Sequence, residues 1–131
     1  MIISEYNHFK TIALAGIDWD DNVIKLALFT ADHVPDLAAT TFASLANQVA
    51  DASYPAGGNT LSLSVVDGQV IAEPTVYPSL TASFRYVVLY ASGTVAGVSS
   101  PVLILYDLEA PVSITALDWT FSWLDGVVYE L

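Results

Sequence analysis

The sequence predicts a mainly β domain: a β-sandwich or jelly-roll-like fold with a short N-terminal helix and a partly helical excursion. Three observations carry that expectation. Apolar and polar residues alternate in short runs, as in "TLSLSVV" (60–66) and "LDWTFSW" (117–123), which is the period of a half-buried strand. Asp-Gly pairs at 67–68 and 125–126 follow such runs, and Asp-Gly is a preferred hairpin turn. About seven or eight runs recur at regular spacing with no internal repeat, which suits a sandwich.

A chain of 131 residues suffices for one domain with a core, so residues 1–131 are read as a single β-rich domain. It has no cysteine, so disulfides and thiolate metal sites are excluded. Fourteen acidic side chains face only Lys10, Lys25 and Arg85, for a net charge of −11. Nucleic acid and anionic membrane surfaces need clustered cations and are therefore excluded as partners. The longest aliphatic-aromatic run, near "VLILY", is far below the roughly 20 residues that span a bilayer. The start, "MIISEYNHFK", lacks the basic and apolar regions of a secretory signal. With 54% hydrophobic residues, the chain has apolar side chains to place in a two-sided core or in subunit interfaces.

Taking the elements in order, residues 4–15 are expected to form the helix. Ser4 serves as N-cap, Tyr6, Phe9 and Ala13 share one face, and Gly16 is the stop. "VIKLALFT" (23–30) is the first strand, with Ile24, Leu26 and Leu28 on one side. From Ala31 to Tyr54 the period of two is lost, and Leu37, Phe42, Leu45 and Val49 stand among small residues; this is the partly helical excursion. Residues 61–72 form a hairpin about Asp67-Gly68, with Val65 opposite Val70 and Leu63 opposite Ala72. Pro74 and Pro78 bracket a corner, and "ASFRYVVLYA" (82–91) is apolar on both faces, as in a strand buried between layers. "SGTVAG" (92–97) is a flexible loop before the strand "PVLILYDL" (101–108). A separate strand, 113–123, presents Trp119, Phe121 and Trp123 to the core; Asp125-Gly126 turns it into a terminal strand.

Few residues suggest chemistry. Asp18, Asp20 and Asn22 match the first ligand positions of an EF-hand loop, but Val23 and Phe29 stand where that loop needs Gly and Glu. The cluster is therefore read as a solvated turn and no metal is assigned. His8 and His33 belong to no catalytic constellation and are read as surface histidines. No cofactor is expected, and an enzyme is disfavoured. Gly57 and Gly58 precede a strand rather than a helix and no Lys follows, so they read as structural rather than as a phosphate cradle. Trp19, Tyr54 and Tyr77 lie near turns and are expected to be exposed or at an interface. Tyr6, Phe9 and Phe42 join them as interface candidates.

Six segments, in order, also resemble a family of tailed-bacteriophage virion structural proteins. The chain's "YNHFKTIALAGI" is similar to the family's "NKFK…L..G.I" helix, "DNVIKLALFT" to "D.IKVAL.T", and "YPAGGNTLS" to Y-T-A-G-G-K-T-L. "SFRYVVLY" is similar to "RY.V.Y", "LILYDLE" to "YVDFG", and "FSWLDGVVYEL" to "F.I.W…GI..L". Departures are Pro55 before the glycines, Asn59 where the family has Lys, and Leu108-Glu109 after Asp107. The resemblance implies a non-enzymatic capsid decoration (cement) protein on the capsid exterior of the virion. It also implies a homotrimer whose partner is the major capsid protein. A glycan- or receptor-binding module of a phage tail or fibre is the alternative, and would use exposed aromatics such as Trp19 or Tyr77.

Overall fold

The computed structural model describes all 131 residues, Met1–Leu131. The strands are β1 (Ile2–Glu5), β2 (Val23–Phe29), β3 (Asn59–Thr60), β4 (Leu63–Val66), β5 (Gln69–Ala72), β6 (Thr75–Ser92), β7 (Thr94–Val95), β8 (Val98–Ser99), β9 (Val102–Phe121) and β10 (Val127–Glu130). One α-helix, α1 (Phe9–Ala15), and two 3-10 turns, Phe42–Ser44 and Leu124–Gly126, complete the set. A five-stranded sheet runs β1-β9-β6-β2-β3, a three-stranded sheet β10-β5-β4, and β7-β8 form a small ribbon; every pairing is antiparallel. The mainly β, sandwich-like class is as the alternation predicts.

Alternation along β2, β6 and β9 gives the large sheet two apolar faces. Leu26, Leu28, Leu89, Ile104 and Tyr106 join Phe9 and Ile12 of α1 and Val70 and Ala72 of β5 in the main core. Ala27, Phe29, Tyr86, Val88, Tyr90 and Leu105 face the other way, under Leu37, Ala39, Phe42 and Leu45 of the excursion. The central strands are thus covered on both sides.

Several local expectations change. Residues 2–5 pair with Ile104–Asp107 as β1, so Ser4 is a strand residue; β-branched Ile2 and Ile3 favour the extended form, and the available sheet edge decides. The helix is confined to Phe9–Ala15, with no side-chain cap at His8, and it ends where the Gly16 N–H bonds the Ile12 carbonyl. The excursion is irregular apart from Phe42–Ser44. Its polar side chains bond nearby backbone instead of supporting a helix: Asp36 accepts from the Ala38 N–H, Ser44 donates to the Thr41 carbonyl, and Asn47 donates to the Asp32 carbonyl. Pro78 turns no corner but sits at a register shift within β6. The two strands expected at 101–108 and 113–123 are one strand, β9. "SGTVAG" leads into the β7-β8 ribbon rather than a loose loop.

Candidate interaction surface

Several buried side chains and the glycine loop meet at β2. Gly58 lies flat on β2: a Cβ there would overlap the Leu26 carbonyl and come within 2.8 Å of the Ala27 Cα, and its φ is +83°. The loop is then held by side chains. Gln48 Oε1 accepts from the Gly57 N–H at 2.7 Å and from the Tyr54 hydroxyl at 2.9 Å. The Tyr54 oxygen in turn accepts the Leu28 N–H at 3.1 Å. Tyr90 donates to the Gly57 carbonyl at 2.6 Å, and Tyr77 donates to the Leu26 carbonyl. Phe42 stacks on Tyr90, with ring centres 3.9 Å apart and planes at 7°. The glycine pair is therefore a structural clamp. Changing Tyr90 to Phe removes one neutral hydrogen bond while keeping the stack, and should cost about 1 kcal/mol in urea denaturation.

A second link joins "SFRYVVLY" to "LILYDLE". Arg85 makes two bonds to the Asp107 carboxylate, at 3.0 and 3.3 Å, and lies over the Tyr86 ring. Asp107 also accepts the Glu109 N–H at 2.7 Å. The Arg85 hydrogen bond is the main reason the Asp107 carboxyl titrates below its usual 3.8. A carboxyl more acidic folded than unfolded contributes stability that is complete above the unfolded value and lost as pH falls through the folded one. Urea midpoints should therefore drop below about pH 4, and drop less steeply in Asp107→Asn.

The structure buries five of the six expected interface aromatics. Tyr6, Phe9, Trp19, Tyr54 and Tyr77 are buried, with exposures of 1, 0, 6, 5 and 0%. Phe9, Trp19 and Tyr129 pack together, and burial pushes the Tyr6 phenol up to about 12. Closeness to turns misleads because a ring can reach inward from a turn while its hydroxyl finds a backbone partner, as in Tyr54 and Tyr77. Phe42 alone is partly accessible. Phe121 and Trp123 are core residues, and the Trp123 Nε1–H donates to the Tyr106 hydroxyl at 2.8 Å. His33 is no surface residue: it is 4% exposed, packs on Phe29 and Tyr86, and bonds the Ala46 carbonyl through Nδ1. His8 is half-buried, with Nε2 on the Val102 carbonyl.

The acidic cluster is a turn that uses its own ligand atoms. Asp18 Oδ1 accepts the N–H groups of Asp20 and Asp21, and Asn22 Oδ1 accepts that of Asp18. No group of three or more His, Asp or Glu side chains could hold a metal ion.

What the fold leaves at the surface is aliphatic. Met1 and, on the edge strand β1, Ile2 and Ile3 are 53–59% exposed. Leu14 (90%), Leu124 (88%) and Leu131 (65%) are more open still. Beyond Asp107, β9 has β6 as its only strand neighbour. Sequence reasoning missed these residues because it followed aromatics; the signal was there in Leu14, two positions from buried Ile12 and so on the opposite side of the helix.

No family model matches the chain, and no similar curated protein or solved structure was found for it.

Proposed function

We propose that the chain is a non-enzymatic virion protein of a tailed bacteriophage, a decoration protein that binds the major capsid protein on the capsid exterior and assembles with itself as a trimer. The observation that supports this reading is the meeting of the resemblance's segments. Gly58 of "YPAGGNTLS" lies on Leu26 of "VIKLALFT", Tyr90 of "SFRYVVLY" holds Gly57, and Arg85 of the same segment holds Asp107 of "LILYDLE". Segments that match in order and also brace one another form a single framework. Their shared residues serve the fold, and binding falls to exposed aliphatic positions such as Met1, Ile2 and Ile3.

Mechanistically, genome pressure stretches an expanded shell, and a clamp across its seams raises the cost of separating subunits. A protein that binds only the expanded state stabilises it by mass action. The high acidic charge keeps an apolar-surfaced subunit soluble before it docks. The tail-module alternative relied on exposed Trp19 and Tyr77, and both are buried. Virions with and without the chain, compared in heat and osmotic shock, test the reading. Earlier genome release from virions lacking it is expected; identical release curves would overturn it.

A further inference from the structure

The groove between α1 and β10 is lined by Lys10, Ala13, Leu14, Tyr129 and Leu131, with a volume of about 310 Å³. Phe9 and Ile12 turn the buried side of α1 inward, so Lys10 and Leu14, four residues apart, stand together on an outer side. The result is an apolar hollow with a cation at its rim. That cation has no partner within the chain: the two ion pairs are Met1–Glu109 and Arg85–Asp107. In a chain with fourteen acidic side chains, an exposed lysine left unpaired beside an open leucine is a marked feature.

The complementary feature is on the same molecule. The 3-10 turn Leu124–Gly126 projects Leu124, 88% exposed, next to exposed and unpaired Asp125. Burial of Trp123 against Tyr106 and Phe121 anchors the base of this turn, so the knob is presented on a fixed support. A leucine beside an anion matches a leucine-lined hollow beside a cation in apolar character and in charge.

We infer that this groove receives the Leu124–Asp125 turn of a second copy of the chain, with Leu124 in the hollow and Asp125 against Lys10. Two copies at −11 each repel at long range, so their contact needs apolar burial and a local opposite charge. The inference rests on the self-association in the proposed function and names the surface that carries it. Because groove and knob are different patches, the contact can close a ring of copies as well as a reciprocal pair.

Sedimentation of the purified chain over a concentration series, at about 0.15 M salt to screen the net repulsion, tests this. The wild type should self-associate, and Leu124→Ser should weaken association roughly tenfold or more. Lys10→Glu and Asp125→Lys should each weaken it roughly tenfold, the second even though it lowers the net negative charge. The double variant Lys10→Glu/Asp125→Lys should regain association. Thermal melts confirm that each variant is folded, and Leu14→Ser replaces any that is not. A wild type that stays monomeric overturns the inference and the self-association together. An associating wild type whose double variant is no better than the singles overturns this surface alone. Neither result bears on where the chain sits in a virion, which is read separately.

Discussion

Gly58→Ala should be the most damaging single substitution in the glycine loop, with a loss on the order of 3–5 kcal/mol. The left-handed backbone alone costs an alanine roughly 1–2 kcal/mol. The larger part is steric: the new Cβ meets the Leu26 carbonyl and the Ala27 Cα, which are backbone atoms of a strand held on both sides. Neither can yield without parting β3 from β2. Against a total stability of about 5–15 kcal/mol for a domain, such a loss leaves little folded protein at elevated temperature. Gly57→Ala is the internal control. Its φ is similar, +86°, but its nearest neighbour is the Tyr90 hydroxyl at 3.2 Å, the far end of a side chain. It should cost about 1–2 kcal/mol, mostly backbone strain. Urea midpoints for the pair decide the matter, and equal losses would contradict the close packing on β2.

Gln48→Ala should come next, at roughly 2–4 kcal/mol. Gln48 Oε1 is the shared acceptor for the Tyr54 hydroxyl and the Gly57 N–H. Truncation leaves two donors unpaired in a partly buried place, each carrying a desolvation cost of about 1–3 kcal/mol. Tyr54 also receives the Leu28 N–H, so its loosening reaches the central sheet. Gln48→Glu retains an acceptor and should lose less than the alanine variant. If both variants unfold at the wild-type urea concentration, the network does not hold the loop.

The sheet-forming runs were largely legible in the sequence. Asp67-Gly68 set the hairpin register, and Val65 does pair with Val70 and Leu63 with Ala72. Apolar residues on both faces of 82–91 marked the central strand. The length of β6 and β9 was not legible, because irregularities mimic breaks. Ser79, Glu109 and Ala116 have positive φ, and Pro78 interrupts the alternation, yet pairing resumes beyond each. Bulges bend a strand without ending it. The N-terminal strand was hidden for another reason: residues 2–5 carry a plausible capping serine, and only the free edge of β9 makes the extended form win. The surface was least legible. Side-chain partners such as Gln48 for Tyr54 lie several residues away and draw turn-proximal rings inward, leaving leucines such as Leu14 and Leu124 outside.

The proposed virion role is tested most directly by immunogold electron microscopy of purified tailed-phage particles, with antibody raised against the chain. Gold spread over the head is the result expected of a decoration protein on the capsid exterior. Gold confined to the tail, or absent from intact particles, would contradict it.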